Sequence, residues 1–261
     1  MKNNIKIGNL LILLTVIGLV FAIAIVIKTT NKAEIKFVEL KGNYHLSQDE
    51  YMKFAHIENQ EDYYLLSPKI IKDRLEKHPY IKRVDIIVSE NTLIVELFEK
   101  NFEALLITNG NEFLITDETI LIPKLPNSEK IDFPIINEPS NPEKISEFSS
   151  ATENLDVKIG LKIITALKII NAKLFESLSE VNLRNGKDII LQFSNLNVPI
   201  VIGRNNEIKK IVLFERLMEK LDYSKIENTL SYIDLRYLSY LYLGESRNTK
   251  GEQESNSWKI I

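Results

Sequence analysis

Histidines are the side chains in this sequence best suited to bind a metal ion or to transfer a proton near neutral pH. There are three, His45, His56 and His78, and they form neither an i,i+4 pair nor an HExxH motif. His45 and His56 could approach each other across a short helix. Histidines that face solvent are the simpler interpretation, and the sequence therefore predicts no metal site.

Other catalytic groups are also scarce. The absence of cysteine excludes thiol catalysis, disulfide bonds and Cys-ligated zinc. There is no GxSxG motif and no glycine-rich phosphate loop. The 36 acidic residues always allow some pair of carboxylates, so a hydrolase stays open as an alternative. We otherwise predict no catalytic residue and no cofactor.

The charged residues have simple structural interpretations. Asp234 and Arg236 stand two apart on one face of a predicted strand, which favours a structural ion pair over catalysis. Lys158 and Lys162 lie one helical turn apart, as on a solvated helix face. The chain has 33 basic and 36 acidic residues, so it lacks the strongly basic character of a protein that coats nucleic acid.

Residues 7–27 form a continuous apolar segment without a charge, between Lys6 and Lys28. A helix of 21 residues spans about 30 Å, the hydrocarbon thickness of a bilayer. A cleaved signal peptide and a buried core helix are the alternatives, but the triplet Ala22-Ile23-Ala24 lies inside the apolar run and not after it. We predict an uncleaved anchor in the cytoplasmic membrane, with residues 1–6 inside and the longer part of the chain exported.

Residues 33–100 are dense in helix and strand signals. Gly42 follows a first strand, and Ser47 and Glu50 have the spacing of a capping box that opens a helix. Ser67-Pro68 marks the start of a second helix, and two alternating runs after it predict a hairpin. The expected order is strand, helix, helix, strand, strand.

This segment resembles a POTRA domain, the polypeptide-transport-associated module. The resemblance rests on Gly42-Asn43 after the first strand, the serine that opens the first helix, and the closing Glu99. It also includes the end of the second helix, formed by Leu75, Pro79, Tyr80 and Ile81.

The strand, turn and helix patterns of residues 101–244 predict a second, mostly antiparallel β domain with two or three helices. Ser150 and Glu153 form another capping-box pair ahead of a helical stripe. Asn185-Gly186, between alternating runs, predicts a two-residue hairpin turn. Residues 245–261 are polar and are expected to be disordered. The fold class is α+β, with an N-terminal transmembrane helix.

The stretch YIDLRYLSYLYLG, Tyr232 to Gly244, predicts the last strand of this domain. Beyond Arg236 both of its faces are apolar or aromatic, although a strand with one wet face should alternate apolar and polar residues. The second face could lie under a helix that starts near Asn205. Alternatively, the strand is a sheet edge whose Leu238, Tyr240 and Tyr242 receive a strand from another protein.

Together, the anchor, the POTRA segment and the β domain resemble the FtsQ family of bacterial division proteins, called DivIB in Gram-positive organisms. The most specific match is Ile-Asp-Leu-Arg-aromatic, residues 233–237, supported by Gly203-Arg204 ahead of a helix. The resemblance covers residues 5–244. It implies a non-enzymatic division scaffold with a periplasmic or extracellular C-terminal region that binds FtsB, itself paired with FtsL. The resemblance implies that the residues that bind FtsB are Tyr237, Ser239, Tyr240, Leu241 and Tyr242.

The resemblance further implies that the POTRA segment binds other membrane proteins of the division machinery. Two other functions stay open. One is a POTRA-bearing adaptor for export or envelope assembly, and the other is a membrane-tethered hydrolase of the cell envelope.

Overall fold

A computed structural model describes residues 3–29, 35–58, 66–220, 229–238, 240–245 and 257–259. The chain divides into two compact units. The first comprises Met1–Asn43, Ser47–His78 and Arg83–Phe98. The second comprises Tyr44–Leu46, Pro79–Lys82 and Glu99–Ile261.

The N-terminal segment forms the helix α1, Asn3–Thr29. Its large apolar side chains between Leu10 and Phe21 are exposed. In α1, side chains are described only for Gly8 and residues 10–22. Within the described part of the chain, no helix is both long and apolar enough to cross a membrane. The anchor at residues 7–27 therefore stays a prediction.

The first unit has the element order predicted for residues 33–100. Ser47 and Glu50 form the predicted capping box, in which the serine oxygen accepts from the Glu50 amide and the glutamate accepts from the Ser47 amide. The three strands form a sheet in the order β1-β3-β2, with β1 parallel to β3. The elements are β1 Phe37–Lys41, α2 Gln48–Phe54, α3 Pro68–Leu75, β2 Ile81–Ser89 and β3 Thr92–Glu99.

A ten-stranded mixed sheet forms the second unit, in the order β13-β12-β11-β10-β9-β8-β7-β4-β5-β6. Three neighbouring pairs, β4/β7, β7/β8 and β10/β11, are parallel and the others are antiparallel. The strands are β4 Phe102–Thr108, β5 Asn111–Thr116, β6 Leu121–Pro123, β7 Ile135–Asn137, β8 Leu178–Asn182, β9 Ile190–Phe193, β10 Leu196–Val201, β11 Leu230–Asp234, β12 Tyr240–Glu245 and β13 Ser257–Lys259.

The helices of this unit share one hydrophobic core with the sheet. Among the described residues, its α-helices are α4 Leu155–Ile170, α5 Ala172–Glu176 and α6 Glu207–Lys220. Buried residues of α4 and α6, such as Ile163 and Phe214, belong to the same cluster as Ile136 and Leu191 of the sheet. Burial of one sheet face under helices confirms a mixed α+β fold.

Two local predictions in this unit differ from the structure. Ser150 caps only the short 3-10 helix Ala151–Glu153, and Asn154 caps α4 by accepting hydrogen bonds from the first-turn amides. A wider turn that includes Arg184–Gly186 joins β8 to β9 in place of the two-residue turn predicted at Asn185-Gly186. In both places a second polar residue nearby offers the backbone an alternative hydrogen-bond partner.

Burial of two histidines corrects the expectation that all three face solvent. His45 is 5% exposed and His78 is 3% exposed, whereas His56 is exposed. The His45 ring contacts the rings of Tyr80 and Phe102, with centroids 6.3 and 5.1 Å away. His78 lies against two aromatic rings of α2. Aromatic neighbours distant in sequence cause this burial.

Candidate partner-binding site

The predicted single strand Tyr232–Gly244 is two strands, β11 and β12, which pair as an antiparallel hairpin. In their register Ile233 lies opposite Leu243, and Asp234 lies opposite Tyr242. The single-strand prediction was wrong because apolar and aromatic residues continue through the reversal, and neither a glycine nor a proline marks a turn between residues 234 and 240.

Hydrogen bonds at the end of β11 define this reversal. The Leu235 amide donates to the Val201 carbonyl over 2.8 Å, and the Arg236 amide donates to the Asp234 carboxylate over 2.9 Å. The Tyr240 amide then donates to the Tyr237 carbonyl over 3.3 Å. A glycine or proline usually marks a turn in sequence, and residues 235–239 contain neither. These hydrogen bonds stabilise the turn instead.

The two faces of the hairpin have different environments. Ile233, Leu235 and Leu241 are buried in the core cluster that also contains Ile211 and Phe214 of α6. This face therefore packs into the hydrophobic core, whereas Tyr237 and Tyr240 are exposed.

The predicted binding residues lie at the reversal and along β12. Tyr237, Leu238 and Tyr240 are 56%, 45% and 44% exposed. Tyr242 is half-buried, and its ring lies edge-on to the ring of Tyr237, with centroids 5.9 Å apart. The Leu241 side chain is buried, which leaves only its backbone for a partner, and Ser239 lies outside the described residues.

Arg236 holds the reversal through two carboxylates. Its guanidinium contacts the buried Asp234 through two nitrogens, at 3.0 and 2.7 Å, and Asp188 through a third, at 2.9 Å. The hydrogen bonds that Arg236 donates to Asp234, assisted by the one it donates to Asp188, raise the pKa of Arg236 above its ordinary value. The Asp234–Arg236 pair is therefore structural, as predicted.

Gly203 leaves room for this arginine. Its φ of +59° lies in the left-handed region, and a Cβ there would lie 2.8 Å from the Arg236 Cγ. The two segments that resemble the FtsQ family, Gly203-Arg204 and residues 233–237, thus meet in one place.

Arg204 forms a second ion pair beside the first. It donates to Asp156 over 2.7 Å and also to the carbonyls of Leu183 and Lys187. Burial alone would raise the pKa of the Asp156 carboxyl, but hydrogen bonds from Arg204 and Ser140 hold this pKa below its ordinary value of 3.8. Asp156 therefore stays ionised over the physiological range.

Asp156→Asn should lower the free energy of unfolding by about 2 kcal/mol at pH 7, because it removes a charged acceptor from a largely buried arginine. A folded-state pKa below the unfolded one contributes stability above the unfolded pKa, and this contribution is lost as pH falls through the folded pKa. Chemical denaturation between pH 7 and pH 2 should therefore show the difference between the two proteins narrowing below about pH 4. A difference in the free energy of unfolding that stays constant between pH 7 and pH 2 would contradict the lowered pKa of Asp156.

Lys210 of α6 is a buried cation that contacts the loop around Gly203, and its side chain is only 3% exposed. Its Nζ donates to the carbonyls of Ile202 and Arg204, at 2.8 and 3.2 Å. Burial lowers its pKa, although nearby acidic residues, among them Glu207, partly oppose the shift. Lys210 thereby fixes the backbone on either side of Gly203.

A surface cleft of about 420 Å³ lies where these groups meet the tyrosines. Its walls combine cationic and aromatic side chains, and Arg236 keeps 44% of its side chain exposed. The cleft is lined by Arg204, Asn205, Asn206, Lys210, Arg236, Tyr237, Leu238 and Tyr240. Sequence reasoning missed Arg204 and Lys210 as neighbours of the tyrosines, although Gly203-Arg204 had been singled out as a motif.

The cleft combines paired charged groups with exposed polar and aromatic groups. Among the residues that the structure describes, no group of three His, Cys, Asp or Glu side chains could hold a metal ion. Its two arginines form ion pairs inside the fold, Lys210 donates to backbone carbonyls, and its exposed groups are suited to polar and aromatic contacts.

Two parts of the predicted tail, residues 245–261, are among the described residues. Glu245 is the last residue of β12, and Ser257–Lys259 form β13, antiparallel to β12. Residues 246–256 lie outside the described residues. The edge of β12 offers unpaired backbone groups, which explains how a polar segment forms a strand there.

Two family models match this chain. Residues 33–100 match the POTRA domain of FtsQ type, and residues 104–236 match the C-terminal region of the cell division protein FtsQ/DivIB. No match to a curated protein was found. The two models adjoin in the order predicted from the sequence, and the second ends at Arg236, in the reversal that carries the tyrosines. The chain belongs to the FtsQ/DivIB family of cell division proteins.

Proposed function

We propose that this chain is a bitopic, non-enzymatic scaffold that binds FtsB/FtsL-like coiled-coil proteins outside the cytoplasmic membrane during septum formation. The observation that carries the proposal is the exposure of Tyr237, Leu238 and Tyr240 beside β12, in a domain of the FtsQ/DivIB type. Large aromatic side chains at a surface are typical of binding hot spots. Membership of a family of division scaffolds supports the cellular role.

Binding would combine backbone and side-chain contacts. A partner strand beside β12 would take main-chain hydrogen bonds from residues 240–242, while Tyr240 and Tyr242 contact its side chains. The cleft suits a partner segment with apolar or aromatic side chains, because its exposed groups include Tyr237, Leu238 and Tyr240, while its two arginines already pair with Asp156, Asp188 and Asp234.

Co-purification with the full-length chain as bait tests this function directly. Detergent extracts of dividing cells should yield a single-pass coiled-coil protein of the FtsB kind, identified by mass spectrometry. Recovery of export components alone would favour the export or envelope-assembly adaptor. Envelope-hydrolysing activity that is lost when a cleft carboxylate is replaced would favour the hydrolase.

We propose the following division of the chain. Residues 1–6 lie in the cytoplasm, residues 7–27 cross the bilayer, and residues 33–100 form a POTRA domain that binds other division proteins. Residues 101–244 form the partner-binding domain, and residues 245–261 form the tail. The exposed apolar side chains of α1, such as Leu14 and Ile17, support the assignment of the bilayer segment.

Replacing Leu14 and Ile17 with arginine should release the chain from membranes, because each arginine at the centre of a span costs about 3 kcal/mol. Alkaline extraction of membranes followed by immunoblotting measures the effect, and the matched double alanine variant should stay in the pellet. Extraction of the wild-type chain into the soluble fraction would contradict the anchor.

A further inference from the structure

The outer side of β12 is paired with the chain's own C-terminal strand. In this antiparallel pairing Tyr240 lies opposite Lys259, Leu241 opposite Trp258, and Tyr242 opposite Ser257. Residues 240–242 are also half of the six positions assigned to partner binding. The same backbone positions therefore have two candidate neighbours.

A strand has room for one hydrogen-bonded neighbour on each side. The inner side of β12 is paired with β11, from Leu230 opposite Glu245 to Asp234 opposite Tyr242. Only the outer side is left, and β13 pairs with it. A partner strand and β13 cannot pair with residues 240–242 at the same time.

The internal pairing has the properties of a displaceable strand. It covers three residue pairs, fewer than the five or six residues of a typical strand. Its tether, residues 246–256, holds it near β12 at an effective concentration on the order of millimolar. A short strand held in this way can occupy its site and still exchange for a better-paired one.

We propose that β13 is an internal competitor for the strand-binding site on β12. The proposal rests on the proposed function, in which a partner pairs with residues 240–242. Occupancy by β13 lowers the fraction of chains that can bind, and the apparent affinity for the partner falls by the same factor. Pairing of β13 thereby raises the partner concentration needed for assembly.

Two variants of the full-length chain separate backbone pairing from side-chain effects. Trp258→Pro removes an amide and fixes φ in the middle of β13, whereas Trp258→Ala keeps the backbone able to pair. Hydrogen exchange measured without partner should be about tenfold faster in the proline variant at the β12 amides that point outward to β13, and nearly unchanged in the alanine variant. Unchanged exchange in the proline variant would overturn the proposal. So would protection that rises with protein concentration, which would indicate pairing between two copies.

Titration with the exported segment of the host's FtsB-like protein tests the competition itself. The proline variant should bind about three to ten times more tightly than the wild type, and the alanine variant like the wild type. Faster exchange without tighter binding would show that β13 pairs with β12 but does not compete. A lack of binding by every variant would reject the proposed function and with it the competition, while the exchange result would still establish the pairing.

Discussion

Replacing Tyr240 and Tyr242 together with lysine should weaken binding of an FtsB-like partner by at least about 100-fold, since each hot-spot tyrosine contributes about 2 kcal/mol. Lysine also places a flexible charge where the partner would bury apolar surface. Titration of the purified full-length chain with the partner, followed by calorimetry, measures the loss.

Phe148 offers a matched control for this substitution. It is an aromatic residue 57% exposed, and its amide donates to Leu121 of β6, at the opposite edge of the same sheet. Phe148→Lys should bind the partner like the wild type. Undiminished binding by the double tyrosine variant would reject the proposed site.

Asp234→Ala should lower the free energy of unfolding by about 2 kcal/mol, the second large effect we expect, because it removes a buried charged acceptor, although the partly exposed Arg236 keeps Asp188. The buried carboxylate accepts from the Arg236 amide and from two guanidinium nitrogens, and its loss leaves the arginine without its main partner. The reversal should lose its geometry as well, so partner binding should weaken together with stability. Urea denaturation of the purified chain measures the first effect.

Asp188→Ala is the matched control, because Asp188 contacts the same guanidinium from a more exposed position. Its side chain is 39% exposed, and exposed ion pairs contribute less than about 1 kcal/mol. Equal losses from the two alanine variants would contradict the distinction between the buried and the exposed carboxylate.

The features predicted correctly from sequence depend on neighbours close along the chain. The capping box of Ser47 and Glu50 spans one helical turn. The start of α3 is marked by Pro68 itself, because Ser67 makes no side-chain cap hydrogen bond. The strand-helix-helix-strand-strand order followed from such signals. The Asp234–Arg236 ion pair was predictable because the two residues stand two apart.

The features that the sequence did not reveal depend on contacts between distant segments. The reversal after Asp234 relies on the Val201 carbonyl and on Asp188, neither of which has a local signature. Burial of His45 depends on the ring of Phe102. Pairing of β13 depends on an edge that is complete only when the hairpin has formed.

Photocrosslinking in living cells tests most directly whether the tyrosine-bearing side of β12 is where the partner binds. A photoreactive amino acid at Tyr240 should form an adduct with the FtsB-like protein, and the same group at Ile169, 79% exposed on α4, should not. Crosslinks to the partner in equal yield from both positions would contradict the proposed site. So would a photoreactive group at position 240 that crosslinks only to proteins other than the partner.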